Sequence, residues 1–154
     1  MEIKGILKTM GNQIDGFKSK YRVIIADSRG HGKSELKTDA LSYEEITADW
    51  EGLVNHLKLD SVSIIGWSDG GIIALKMGIN DKIKIKKIVA MGANLRPDAT
   101  ALPYSVIFKI WKKRMYIESK ITEKDTTKNW SLFKQHYGLM LNQTPVPLSY
   151  FIKN

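Results

Sequence analysis

The chain has 154 residues, 43% of them apolar and 26% charged, with a formal net charge of +8 and no cysteine. That length can bury a hydrophobic core, and the missing cysteine excludes disulfides, thiolate zinc sites and a cysteine nucleophile. No stretch reaches the ~18 uncharged apolar residues of a membrane span, and Met1-Glu2-Ile3-Lys4-Gly5 lacks the apolar region of a secretory signal, so a cytoplasmic protein without membrane association is expected.

In chain order, Ile6, Met10, Ile14 and Phe17 sit at helical spacing and predict a weak helix over about Ile6 to Lys18. Tyr21-Arg22-Val23-Ile24-Ile25-Ala26 is a β-branched apolar run and predicts a buried strand. It runs into a glycine-punctuated loop, Asp27-Ser28-Arg29-Gly30-His31-Gly32-Lys33-Ser34. Ser42, with Glu45 three residues on, is a capping box for a helix. Tyr43, Ile46, Trp50, Leu53 and Leu57 form its apolar stripe. Ser61–Ile65 predicts a second strand, Gly66 to Gly71 a tight turn, Ile72–Met77 the core of a buried helix, and about Lys86 to Met91 a third strand. Strands alternating with helices imply βαβ units and a parallel sheet.

From Pro97 the composition changes. Two helices, about Tyr104–Ser119 and Thr126–Tyr137, are predicted, with Trp111, Met115 and Trp130 as their apolar surface. Pro145 and Pro147 keep the tail from being helical throughout. The expected organisation is a partial core over 1–96, a helical cap segment over 97–141 and a tail over 142–154. The positive charge raises nucleic-acid binding as a reading. The densest basic groups, however, are Lys82, Lys84, Lys86 and Lys87, alternating with Ile83 and Ile85, and Lys112-Lys113-Arg114. They fit a strand entry with wet lysines and one polar side of a helix. No nucleic-acid motif accompanies them, so no nucleic-acid partner is expected.

The chemistry centres on Gly66-Trp67-Ser68-Asp69-Gly70, a G-x-S-x-G string that follows a strand and opens a helix. A sharp turn there holds the serine in a strained conformation with its hydroxyl over the strand end. Gly66 and Gly70 are expected to remove side chains that would collide with the neighbouring strand and helix. The N–H of Asp69 and the dipole of the following helix would face an oxyanion on the substrate. The Asp69 carboxylate has two readings, a helix cap or a counter-ion for a cationic substrate group.

Ser68 within Gly-Trp-Ser-Asp-Gly-Gly (through Gly71), preceded by the Asp27–Ser34 loop, resembles the α/β-hydrolase superfamily. The closer likeness is to the valacyclovir-hydrolase-like esterases, which share that turn and the Gly92-Ala93-Asn94 after the third strand. The resemblance covers about Tyr21 to Asn94. It implies an α/β fold, a mostly parallel sheet flanked by helices with a helical cap. It also implies hydrolysis of a small ester or related acyl substrate through an acyl-Ser68 intermediate, without a cofactor. It places Asp27, Arg29, Gly30, His31 and Gly32 in a structural loop near the site.

The same pattern has an inner strand with a His-Gly oxyanion loop before Tyr21, and an acid and a histidine after the cap; none of these is recognised here. His136 follows Ser68 and is a candidate base, with Asp98 or Asp125 as acids, though all three fall at or in the predicted cap. His56 is expected at a helix end. No histidine–carboxylate spacing suggests a metal site. The alternative function is a catalytically incomplete fragment or pseudoenzyme that keeps only the turn. Unpaired sheet edges would favour low stability or a homo-oligomer.

Overall fold

The computed structural model describes residues 10–97, 106, 109, 110, 112, 113, 116 and 127–150, leaving out the side chains of 127–133 and 148. The chain divides after Asp39 into two compact units, and each is described by itself.

In the first unit, helix α1 spans Gly11–Phe17 and buries none of its residues. Phe17 meets Tyr21 edge-on, with ring centroids 5.9 Å apart. The strand expected over Tyr21–Ala26 does not form. The segment carries no ladder, and Tyr21, Val23, Ile24 and Ile25 are exposed. β-branched residues favour extended backbone, but a strand requires a neighbour to take its N–H and C=O groups. Among the described residues this segment has no neighbouring strand.

The second unit begins with a helix followed by a βαβ motif. Helix α2 spans Tyr43–His56, strand β1 Val62–Trp67, helix α3 Asp69–Asn80 and strand β2 Ile85–Met91. The two strands pair in parallel, Ile64 opposite Ile88 and Trp67 opposite Met91, with one irregularity between Val62 and Ser63. Parallel neighbours need a crossover, and α3 supplies it while packing on both strands and on α2.

Helix α2 starts where the capping box places it. The Ser42 hydroxyl accepts the Glu45 N–H and donates to the Glu45 carboxylate, both at 3.2 Å. Its buried face differs from the expected stripe. Tyr43 and Ile46 are buried as expected, but Thr47, Glu51 and Val54 join them while Trp50, Leu53 and Leu57 are only half-buried. The reason is polar: the Glu51 carboxylate accepts from Asn80 Nδ2 at 2.8 Å and faces Lys82 Nζ at 3.5 Å, which lets a carboxylate be buried on the α3 side. Helix α3 buries Ile72, Ile73, Ala74 and Met77 and ends at Asp81 in the left-handed conformation. Lys82, Lys84, Lys86 and Lys87 are exposed around buried Ile83, as the alternation implies.

Beyond β2, the described residues 106, 109, 110, 112, 113 and 116 are helical, in agreement with the helix expected over Tyr104–Ser119. Helix α4 spans Thr127–Leu141. Trp111, Met115, Asp98, Asp125 and the Trp130 side chain lie outside the described residues. The tail is not helical from Gln143 to Pro147 and closes in a 3-10 turn at Leu148–Tyr150.

The tail is fastened to the core. Gln143 Nε2 donates to the Asn94 carbonyl at 2.7 Å, the Val146 N–H donates to Leu95 O at 2.8 Å, and the Tyr150 hydroxyl donates to Gly78 O. Lys76 Nζ donates to Glu44 Oε1 at 2.7 Å and to Thr144 Oγ1, and Thr144 Oγ1 donates to Glu44 Oε1 at 2.6 Å.

Partial burial pushes the Glu44 carboxyl up. The bonds from Lys76, Thr144 and its own backbone N–H, with the Lys76 charge, outweigh that and hold it below the ordinary 4.5. A carboxylate with a depressed folded value stabilises the fold above its unfolded pKa and loses that contribution as pH falls through the folded value. Because Glu44 is 56% exposed, screening limits the effect to about 0.5 kcal/mol. The stability gap between the wild type and Glu44→Gln is therefore expected to be constant from about pH 6 to 8 and to close below about pH 4.5. Urea denaturation at stepped pH measures it, and a gap that persists at acid pH contradicts the assignment.

Candidate active site

The turn between β1 and α3 is where the backbone departs furthest from ordinary geometry. Ser68 has φ 54° and ψ −120°, a region that side-chain-bearing residues enter at a cost of about 1–3 kcal/mol. Hydrogen bonds on both sides hold it there. The Ser68 N–H donates to Met91 O at 2.8 Å, continuing the sheet one residue past β1. The Ser68 carbonyl accepts the N–H groups of Gly71 at 2.9 Å and Ile72 at 3.2 Å, starting the helix. The serine makes no side-chain cap bond and is exposed, so its hydroxyl is presented at the carboxyl end of β1 and is not spent on the helix.

Steric demand falls on two of the three glycines. A Cβ at Gly66 would lie 2.2 Å from the Gly70 carbonyl oxygen and 2.7 Å from Gly71 N, so only glycine lets strand and helix meet there. A Cβ at Gly71 would lie 2.8 Å from Ala93 Cβ and 3.5 Å from Ala90 Cβ. Gly70 corrects the expectation from sequence, since a Cβ there would meet nothing within 4 Å. The helix phase turns Gly70 away from the sheet and Gly71 toward β2. Gly71, Ala74 and Gly78 form the small-residue line that faces the sheet, and a Cβ at Gly78 would lie 2.8 Å from Ile88 Cδ1. That spacing of three and then four was present in the sequence and could have been found.

Asp69 opens α3 with its carboxylate engaged sideways. The Tyr43 hydroxyl donates to Asp69 Oδ1 at 2.7 Å, and Tyr43 is only 1% exposed. Tyr43 escaped the sequence reading because periodicity counts tyrosine as apolar and does not see its hydroxyl. Trp67, 57% exposed, sets its indole beside Gly92, which has φ +60°.

The structure thus gathers Gly66, Trp67, Ser68, Asp69, Gly70 and Gly71 in one turn. The Asp27–Ser34 loop belongs to the first unit and is ordered by Asp27. Its carboxylate accepts the Lys33 N–H at 3.1 Å, and its carbonyl accepts the Ser34 hydroxyl at 2.8 Å. Gly32 has φ +50°, and a Cβ there would lie 2.1 Å from Asp27 Oδ2. His31 Nδ1 lies 3.1 Å from the Arg29 carbonyl, and Gly30 has φ 75°. His136 is half-buried on α4, and His56 is exposed in the last turn of α2. Among the described residues no group of histidines and carboxylates forms a metal cluster, and no helix is long and apolar enough to cross a membrane.

A parallel βαβ unit with a strained, exposed serine between strand and helix is the architecture of a hydrolase of the α/β class. The α/β hydrolase fold family model matches residues 5–120, and the chain belongs to that family. Human serine hydrolase BPHL is 36% identical over 88 residues, covering 54% of this chain and 30% of that protein. The 3-oxoadipate enol-lactonase 1 of Acinetobacter baylyi is 33% identical over 81 residues, covering 53% and 30%. The matched segment therefore covers less than a third of the length of these relatives. A hydrolase of Pseudomonas aeruginosa PA01 has the same fold over 90% of this chain and 55% of its own, with a TM-score of 0.57 at 16% identity.

Proposed function

We propose that the chain carries the nucleophile of a serine hydrolase acting on a small ester or related acyl compound. The observation that carries this is Ser68 at φ 54°, ψ −120° with an exposed hydroxyl. Backbone strain at an exposed turn is a signal of function, because a structural role alone would be met better by glycine. In the reaction, Ser68 Oγ bonds to the carbonyl carbon as its proton passes to a base. The carbonyl oxygen becomes an oxyanion facing the Asp69 N–H and the α3 dipole. The C–O bond to the leaving alcohol breaks with return of that proton, and water then cleaves the acyl-serine. His136 is the candidate base within this chain. Asp69 Oδ2 remains for a cationic group of the substrate, which would favour amino esters.

The test is incubation of the 154-residue chain with a fluorophosphonate probe, read as intact mass, with paired hydrolysis assays on a neutral and an amino ester. The expected result is one adduct at Ser68, lost in Ser68→Ala, and a loss in Asp69→Asn that is larger for the amino ester. Adducts at other residues would overturn the assignment. No adduct would favour the second reading, a catalytically incomplete chain that keeps the turn.

A further inference from the structure

We infer that Tyr43 is a positioning residue that keeps the oxyanion-binding N–H groups open by holding the Asp69 carboxylate aside. The inference rests on the hydrolase reading of Ser68 for its purpose, though not for its test.

The first turn of any helix has N–H groups without intrahelical partners. In α3 the N–H of Gly71 and that of Ile72 go to the Ser68 carbonyl. Those of Asp69 and Gly70 bond to nothing among the described residues, and that of Asp69 is the one the proposed oxyanion would use. An aspartate in the first turn is itself an anion beside these donors, and short acidic side chains readily bond to nearby N–H groups. Left to itself, the Asp69 carboxylate would compete with the substrate for the donors that stabilise its transition state. The structure prevents this by giving Oδ1 a different partner, the Tyr43 hydroxyl at 2.7 Å.

Tyr43 suits that task because of where the sequence fixes it. It is the first residue of α2, directly after the Ser42–Glu45 box. Its ring is 1% exposed, so the hydroxyl cannot swing away. Two other contacts also join α2 to α3, Glu44 beside Tyr43 with Lys76 at 2.7 Å and Glu51 further along with Asn80 at 2.8 Å. The two helices therefore run in the same sense, with their N-terminal ends together. Tyr43→Phe keeps the buried ring and removes only the hydroxyl, which separates the positioning role from the packing of the ring.

The experiment compares the wild-type 154-residue chain with Tyr43→Phe, Asp69→Ala, the double variant and Lys76→Met. The readouts are amide nitrogen–proton NMR spectra and the rate of fluorophosphonate labelling. Tyr43→Phe is expected to move the amide signals of Asp69 and Gly70 downfield as the freed carboxylate folds onto them, with the rest of α2 and α3 unchanged. Labelling at Ser68 should slow by about a hundredfold, the scale of losing one oxyanion donor.

The double variant is expected to recover the signals and rate of Asp69→Ala, because without the carboxylate there is nothing for Tyr43 to hold. Lys76→Met should lower stability without moving the Asp69 and Gly70 signals. Unmoved Asp69 and Gly70 signals in Tyr43→Phe would overturn the inference, as would equal shifts throughout α2 and α3 or no recovery in the double variant. A wild-type chain that does not label would count against the hydrolase reading alone, since the amide signals still decide the role of Tyr43.

Discussion

Gly66→Ala is expected to abolish cooperative folding or to lower the melting temperature by about 10 °C or more, while Gly70→Ala leaves it unchanged or slightly raised. The two glycines bracket the same serine and look equivalent in the sequence. At Gly66 the added methyl would lie 2.2 Å from Gly70 O, 2.4 Å from Gly70 C and 2.7 Å from Gly71 N. All three atoms are backbone, so no rotamer change relieves the clash, and strand must separate from helix. Overpacking against side chains typically costs ~1–3 kcal/mol; against backbone the cost lies at or above the top of that range.

At Gly70 the methyl enters open space, and alanine is favoured over glycine in a helix by about 0.5–1 kcal/mol. Gly71→Ala falls between, because its closest contact, Ala93 Cβ at 2.8 Å, belongs to a loop that can give way. Thermal and urea unfolding of the three variants checks the order. A Gly66→Ala chain as stable as the wild type, or a Gly70→Ala chain as damaged as Gly66→Ala, would show that the turn is not packed in this way.

That order shows how far a sequence pattern carries. The strand, turn and helix around Ser68 were legible because each has a local cause. β-branched residues prefer extended backbone, glycine permits close approach, and an apolar run needs a core. The Ser42 cap and the non-helical Pro145–Pro147 tail were legible for the same reason. What failed was phase and partnership. Which of Gly70 and Gly71 faces β2 depends on how α3 is rotated, and the pentapeptide does not encode rotation. The small line Gly71, Ala74, Gly78 does encode it, but only once a sheet is known to lie against it.

Partnership is the harder loss. Tyr21–Ala26 has the composition of a strand, yet a ladder is a non-local fact, and no composition supplies the neighbour. The same holds for the polar contacts that organise the second unit. Tyr43 and Asp69 are separated by 26 residues, Glu51 and Asn80 by 29, and Glu44 and Thr144 by 100. Each joins elements whose packing had to be known first. Glu51 is the clearest case: a glutamate on the helix looks solvated until Asn80 and Lys82 meet it, yet it is more buried than Leu53 and Leu57.

Ser68→Gly is expected to make the protein more stable and to remove the fluorophosphonate labelling proposed for Ser68. At φ 54°, ψ −120° a serine carries strain of about 1–3 kcal/mol that glycine does not. Glycine gives back about 0.4–1 kcal/mol through the greater freedom of the unfolded chain. The exposed hydroxyl makes no cap bond, and the backbone bonds to Met91, Gly71 and Ile72 survive the change. Relief of strain therefore outweighs the entropy, and a rise of a few degrees in melting temperature is expected.

Ser68→Ala keeps the Cβ and therefore the strain, so its stability should match the wild type while its reactivity is lost like that of Ser68→Gly. The pair of variants separates the two properties of the residue, since strain follows the Cβ and chemistry follows the oxygen. Should Ser68→Gly melt at or below the temperature of Ser68→Ala, the backbone at Ser68 would not be strained. The strongest structural sign that this turn is built for a nucleophile would then be gone.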